Sequence, residues 1–369
     1  MAFPAPTDLQ VLLLRAAVLP APQARAGWAK WRAAGGDLEQ LDRASSRLLP
    51  QLYRNLRPLE PNDPAMPVLK RAYREAWSGN QMKIERGAAA LRALEGAGIP
   101  TLVLKGAAVG PLYYDSIGAR PIEDVDVAVP GGEAVRAVGL LEREGFRPID
   151  GRVRDLLPPY ASHGFFDREG YGIDLHATVL LQPEADEPFW SAAIPLRVHD
   201  VETRALCATD ELIHACLHGY RSHGVVPIRW IADAMRILQS PRAEVDWERV
   251  ESVAARARLS PPLAETLAYL RSRFDAPVPP DLIGALRAAR LSAVERRAHR
   301  MVSQPVWKRG PVGLLCYHWV RYSGLARVRS ERPGAAGFLS YLQSRWGLSS
   351  PQRVLWLAPS WLARRVLAR

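Results

Sequence analysis

The segment IEDVDVAV at residues 122–129 restricts the fold of this chain more than any other. Acids alternate with valines there. Side chains along a β-strand point to opposite faces in turn. Val125, Val127 and Val129 therefore share one face, and Asp124 and Asp126 share the other. The two carboxylates stand roughly 7 Å apart along the strand. Beside an apolar layer they cannot both stay ionised without a cation. A divalent metal supplies one. Carboxylate oxygens suit Mg²⁺, which keeps waters and shares its shell with substrate phosphates.

A later strand carries a third acid. In YGIDLHATV at residues 171–179, Asp174, His176 and Thr178 share one face, and Ile173, Leu175 and Ala177 share the other. Asp124, Asp126 and Asp174 on adjacent strands form a candidate two-metal site, which clamps the attacking and leaving oxygens of a phosphoryl transfer. His176 is a candidate base or orienting group for the acceptor; a structural hydrogen bond is its other reading. Upstream, TLVLKG closes a short strand at Lys105 and Gly106. A glycine between strand and helix lets backbone N–H groups approach a phosphate. Lys105, one of five lysines in the chain, adds a point charge for a triphosphate. Arg120, four residues before Asp124, either holds phosphate or pairs with an acid.

The surrounding chain divides by pattern. Residues 1–95 carry apolar residues at i, i+3 and i+4 and read as helix. The last of these helices ends at Gly96 and Gly98, ahead of Pro100. Pro58, Pro61, Pro64 and Pro67 mark a loop before it. Residues 96–200 hold an α/β core in the order strand, short helix, strand, helix, strand, strand, with a hairpin turning at Asp167 to Gly170. The short helix is expected to begin at Pro111. Residues 201–300 return to helix, with Thr209 as N-cap and Asp210 and Glu211 at the positive end of the dipole. Residues 301–369 are basic, rich in tryptophan and broken by Gly and Pro. The fold class expected is α+β, a small mixed sheet with flanking helices, embedded between helical N- and C-terminal regions.

Taken together, LKG, the later R-P-x-x-DVDV and IDLH resemble the uncharacterised nucleotidyltransferase family of the DNA polymerase beta superfamily. The resemblance is clearest over residues 86–180 and extends more faintly over 205–240. It implies a minimal nucleotidyltransferase fold followed by a helical domain, and transfer of a nucleoside monophosphate from an NTP to an acceptor with release of pyrophosphate. Carried over, Asp124 and Asp126 are the paired metal ligands, Asp174 is the third carboxylate near the acceptor hydroxyl, and Gly106 lies in the phosphate-facing turn. Lys105 stands where the superfamily more often has a small hydroxyl residue, and the gap from Gly106 to Asp124 is longer than is common.

Two other readings use the same residues. Asp-x-Asp also holds a metal–diphosphate sugar in glycosyltransferases, but those carry a longer nucleotide-binding α/β half before the motif, and here the preceding region is helical. A non-catalytic nucleotidyltransferase-like binding module is the third reading. Its anionic partner, RNA or a membrane face, would meet the basic tail. Residues 281–369 hold 16 Lys+Arg against 3 Asp+Glu, and five of the 11 tryptophans: Trp307, Trp319, Trp346, Trp356 and Trp361. Such a surface suits nucleic acid or anionic lipid. With 44 arginines in the chain, solvated arginine filler is the favoured reading of that charge.

Three well-separated cysteines (Cys207, Cys216, Cys316) without a CxxC pair argue against a disulfide framework or zinc ribbon and point to the cytoplasm. His214 and His218 have the i, i+4 spacing of a metal pair, with no third ligand beside them. Arg229, Trp230 and Asp233 are candidates for lining a cleft between domains. No basic region precedes the N-terminal apolar run, so no signal peptide is read, and no run approaches the ~18 apolar residues of a membrane span. Peripheral membrane association stays open.

Overall fold

The acidic strand lies in the middle of its sheet. The computed structural model describes residues 5–149, 162–180, 186–221, 227–304, 308–328, 330–346, 348 and 350. Within them, strands β1 (Leu102–Leu104), β2 (Val125–Ala128), β3 (Arg147–Pro148), β4 (Ser162–Phe166), β5 (Gly172–His176), β6 (Ile194–Val198) and β7 (Val201–Ala205) form one sheet in the order β3-β4-β5-β2-β1-β7-β6. β2 runs antiparallel to β1 and parallel to β5, while β1 runs parallel to β7. The outer pairs β3–β4, β4–β5 and β6–β7 are antiparallel. The class is α+β, as expected. The register sets Asp126 directly beside Asp174, and Ala128 beside His176.

The alternation read from the acidic segment holds. Val125, Val127 and Val129 pack with Ile173 and Leu175 in one apolar core, which also takes Ile84 and Leu91 of α5 (Met66–Gly96) and Val138 and Leu141 of α7 (Ala134–Arg143). Leu102, Leu104 and Ala128 face a second core formed with α1 (Asp8–Val18), α4 (Leu49–Leu56) and the helices Ala208–Gly219 and Arg229–Gln239. A sheet covered on both faces buries its central strands, and that burial makes Asp126 costly unless it is compensated.

The 31-residue helix α5 positions the loop that feeds β2. A Cβ on Gly87 would lie 2.6 Å from Val125 Cγ2, so glycine lets the helix sit against the strand. Buried Asn80 donates to the carbonyls of Ile117 (2.6 Å) and Arg120 (2.8 Å) and accepts from Ile122 N at 2.8 Å. Lys83 Nζ donates to Ile122 O. These bonds tie residues 117–122 to α5 and fix where the acidic strand begins.

Four local expectations change. The short helix α6 (Lys105–Tyr113) begins at Lys105 rather than Pro111; the proline sits near its end, where a missing N–H costs a single helical bond. Pro67 belongs to the first turn of α5, a position that tolerates proline. Cys207, not Thr209, caps the helix Ala208–Gly219, and the Thr209 hydroxyl accepts instead from Asp246 N at 2.9 Å. The hairpin β6–β7 extends the sheet to Ala205. The β4–β5 turn falls at residues 167–170 as expected, with Gly170 at φ +85°.

Near the C-terminus, the helices Pro311–Val328 and Ala335–Trp346 share a small aromatic core. Trp319 meets Phe338 edge to face at 5.2 Å and Trp346 meets His318 at 6.1 Å, so both rings are engaged in packing. Trp307, Trp356 and Trp361 lie outside the described residues. Among the described residues, no helix is long and apolar enough to cross a membrane.

Candidate active site

β1 ends where the polypeptide must turn sharply into α6, and Lys105 makes that turn in the left-handed region at φ +50°. A lysine there costs roughly 1 kcal/mol or more of backbone strain. The turn aims the Lys105 ammonium across the sheet at Asp126 Oδ1, with which it pairs. Gly106 follows against Arg120: a Cβ at this position would overlap the Arg120 guanidinium.

Asp126 is almost fully buried, with 2% of its surface exposed. His176 Nε2 lies 2.9 Å from Asp126 Oδ1 and 3.3 Å from Asp174 Oδ2. Ligand atoms of Asp126, Asp174 and His176 all fall within 4.8 Å of one another. Burial alone would raise the Asp126 carboxyl, but the Lys105 charge and the His176 hydrogen bond outweigh it and hold the group well below the usual carboxylate range. The same bonds, to Asp126 and Asp174, overcome burial at His176 and raise its imidazole above its ordinary value. Asp124 lies at the mouth of the cleft, one pleat from Asp126. Its carboxyl is pushed up, first by burial against the surrounding protein and then by repulsion from Asp126.

The sequence-based triad Asp124, Asp126 and Asp174 is thus arranged differently around its centre. Asp126 and Asp174 are side by side in register, His176 completes their tight cluster, and Asp124 stands apart on the cleft wall. Two carboxylates and an imidazole with converging ligand atoms, one of the acids buried and already drawing in the Lys105 ammonium, make a donor set that a divalent ion fits.

A cavity of about 400 Å³ opens beside this cluster, lined by Lys105, Gly106, Asp124, Asp126 and, on its far walls, arginines from distant parts of the chain. Arg43 and Arg47 come from residues 43–47 near the N-terminus, and Arg229 from the helix Arg229–Gln239. Arg47 pairs with Glu123, which Arg43 also approaches at 3.8 Å. Burial, with Arg120 nearby, pushes the Arg229 guanidinium down to about 10, so it still carries its charge at neutral pH. Reasoning along the sequence singled out Arg229, Trp230 and Asp233, all of which line this cavity, but not Arg43, Arg47 or Glu211.

Arg120 spends its fork on an acid. Its Nε and Nη2 donate to the two oxygens of Asp233 at 2.8 Å each, and Tyr114 donates to Asp233 Oδ1 at 2.8 Å. Glu211, 1% exposed, has its carboxyl pushed up to about 8 by burial and then by the nearby Asp233. His214, whose Nδ1 lies 3.8 Å from Glu211, is driven down to about 3 by the same burial and is neutral. His214 and His218 lie at the border of the cavity.

A profile of the uncharacterised nucleotidyltransferase family matches residues 43–275. Among solved structures, an antigenic nucleotidyltransferase-like protein from Paracoccidioides brasiliensis is similar at 16% identity and a TM-score of 0.35, over 58% of this chain and 95% of that one. No curated protein matches the chain.

Proposed function

This chain belongs to the uncharacterised nucleotidyltransferase family, and on that premise we propose that it is a Mg²⁺-dependent enzyme that transfers a nucleoside monophosphate from an NTP to a hydroxyl-bearing acceptor and releases pyrophosphate. The observation that carries this reading is the convergence of Asp126, Asp174 and His176 beside Lys105, with Asp126 and Lys105 lining an arginine-rich cleft.

Placement supports the following roles. Asp126 and Asp174, with Asp124 at the mouth, would hold the metal ions. Bound there, Mg²⁺ would neutralise charge on the phosphates and on the attacking and leaving oxygens. Lys105, at the head of α6, and Gly106, whose missing side chain makes room for Arg120, line the wall that would face the triphosphate. Arg47 and Arg229 add charge from the opposite wall. Arg120 serves the turn from beneath, packed against Gly106 and locked by Asp233. In the step itself the acceptor oxygen bonds to the α-phosphorus, the bond to the β-phosphate oxygen breaks, and pyrophosphate leaves with the electron pair. Asp174 takes the hydroxyl proton, and His176 orients Asp174 and Asp126. The free cysteines fit a reducing, cytoplasmic setting.

Incubation with each labelled NTP and Mg²⁺, followed by identification of the labelled product, tests the reading. Asp124→Ala should abolish transfer and leave the circular dichroism spectrum intact. Transfer that survives this substitution, or that proceeds in EDTA, removes the proposed chemistry. One observation favours a second reading, a binding module without catalysis: the Lys105 ammonium already neutralises Asp126 with no metal needed. NTP binding that is indifferent to Mg²⁺ would select it.

A further inference from the structure

A second cavity, of about 300 Å³, lies on the other side of Lys105, His214 and His218, three residues that line both spaces. The first cavity is bordered by Asp124 and Asp126 of the acidic strand. The second is bordered by Asp174 and His176 of β5. The two spaces therefore meet across the 2.9 Å contact of His176 with Asp126. This arrangement suits a transfer between two substrates, with each partner reaching the reacting atoms from its own side.

The lining of the second cavity is specific. Val179, Leu180, Leu217, Leu259, Val302 and Val320 give it an apolar body. Arg221 and Arg321 stand in the same wall, beside Tyr317, to whose hydroxyl Arg321 Nη1 donates at 2.9 Å. Among the described residues, the titratable neighbours that act on Arg221 are Tyr317 and two further cations, Arg321 and Arg309, and no carboxylate forms an ion pair with it. Among the described residues, Asp174 is the only acid in the lining. A guanidinium enclosed with other cations is costly until an anion arrives, and its fork matches a carboxylate or phosphate with two hydrogen bonds. The size falls at the lower end of small-molecule sites. Val302, Tyr317, Val320 and Arg321 lie beyond residue 275, outside the part of the chain that the family profile matches.

We infer that this cavity is the acceptor site and that it takes a small amphipathic anion: an apolar body among the aliphatic side chains, a carboxylate or phosphate on Arg221 and Arg321, and a hydroxyl presented to Asp174 and His176. The inference rests on the nucleotidyl-transfer reading for the word acceptor, but the ligand chemistry stands on the cavity alone. The acceptor hydroxyl supplies the oxygen that bonds to the α-phosphorus of the NTP, pyrophosphate departs, and the acid group of the acceptor is unchanged.

Calorimetric titration of the full chain without NTP tests it. 3-Hydroxyoctanoate and mono-octyl phosphate probe the two kinds of anion; 1,3-octanediol lacks the charge and 3-hydroxybutyrate lacks the apolar body. At least one anionic amphiphile should bind tenfold or more tightly than both controls. Arg221→Gln should weaken that binding tenfold or more and leave binding of Mg²⁺–NTP within twofold. Val320→Phe, which fills the cavity with an apolar group, should weaken it as well and guards against a misfolded arginine variant. Equal binding of the diol and the acid, unchanged binding in Arg221→Gln, or no binding of any amphiphile by protein that binds Mg²⁺–NTP overturns the inference. Tight binding of the acid with no label transferred from any NTP overturns the transfer chemistry and the acceptor role while leaving the anion site in place. Label transfer by a protein that ignores every amphiphile overturns the site alone.

Discussion

Two ion pairs stand within the same cleft and are built in opposite ways. Arg120 and Asp233 form a closed pair: their side chains are 5% and 8% exposed, both guanidinium contacts are used, and Tyr114 takes a further lone pair. Lys105 and Asp126 form an open pair. The acid is as deeply buried, at 3%, but the lysine is 26% exposed and sits on a flexible four-carbon stem. A closed pair has nowhere to go and holds helix Arg229–Gln239 against the loop before β2. An open pair can exchange its cation. Burial of charge is tolerated at both places for different ends, one for shape and one for exchange.

Substitutions should separate the two. Asp126→Asn gives the largest effect: nucleotidyl transfer falls by about a thousandfold, while the melting temperature stays close to wild type, because the released Lys105 can reach water. A steady-state assay beside a thermal melt reads both, and a large loss of stability would erase the distinction drawn here. Asp233→Ala comes next. It strands Arg120 in the interior and should cost about 3–5 kcal/mol in urea unfolding. A loss near that of a surface pair, below about 1 kcal/mol, would mean that Arg120 finds water and that the pair is not closed. The smallest effect concerns Glu211, which borders both pairs. Its folded carboxyl titrates at about 8, against about 4.3 in an unfolded chain. Between these values the folded state binds a proton that the unfolded state lacks, so stability falls as pH rises through this window. Glu211→Gln removes that slope. Its melting temperature should exceed wild type by about 2–4 °C at pH 9 and match it near pH 4; parallel curves at every pH would show that Glu211 is ionised in the folded protein.

How much of this was legible in the sequence depended on range. The period-two alternation placed the three valines on one face and the acids on the other, and it placed Asp174 and His176 together. The helical period and the Gly96–Gly98 stop outlined α5. What could not be read was pairing. Nothing local says that β2 lies beside β5 in the register that brings His176 rather than Asp124 into the tight cluster. Arg43 and Arg47 reach the cleft from some eighty residues upstream, and in a chain with 44 arginines composition does not mark them. β6 and β7 alternate charged and buried residues as strands do, but each is five residues long and Pro195 interrupts the first, so the pattern is short and broken. The turn between them needs His199 at φ +56°, for which histidine is no signal. Lys105 as a left-handed helix start was equally hidden, since glycine would be the ordinary choice there.

The parallel pairing of β1 with β7 has a consequence for biosynthesis. β1 leaves the ribosome about a hundred residues before the strand that covers its free edge. Until residues 201–205 emerge, its N–H and C=O groups lack their neighbour, and the Thr101 hydroxyl has Glu95 but not Thr203, each of which it finally meets at 2.6 Å. A nascent chain paused before this point exposes an unpaired apolar edge, the state most prone to wrong association. Assembly of the sheet should therefore be slow and late, completed from its last hairpin inward.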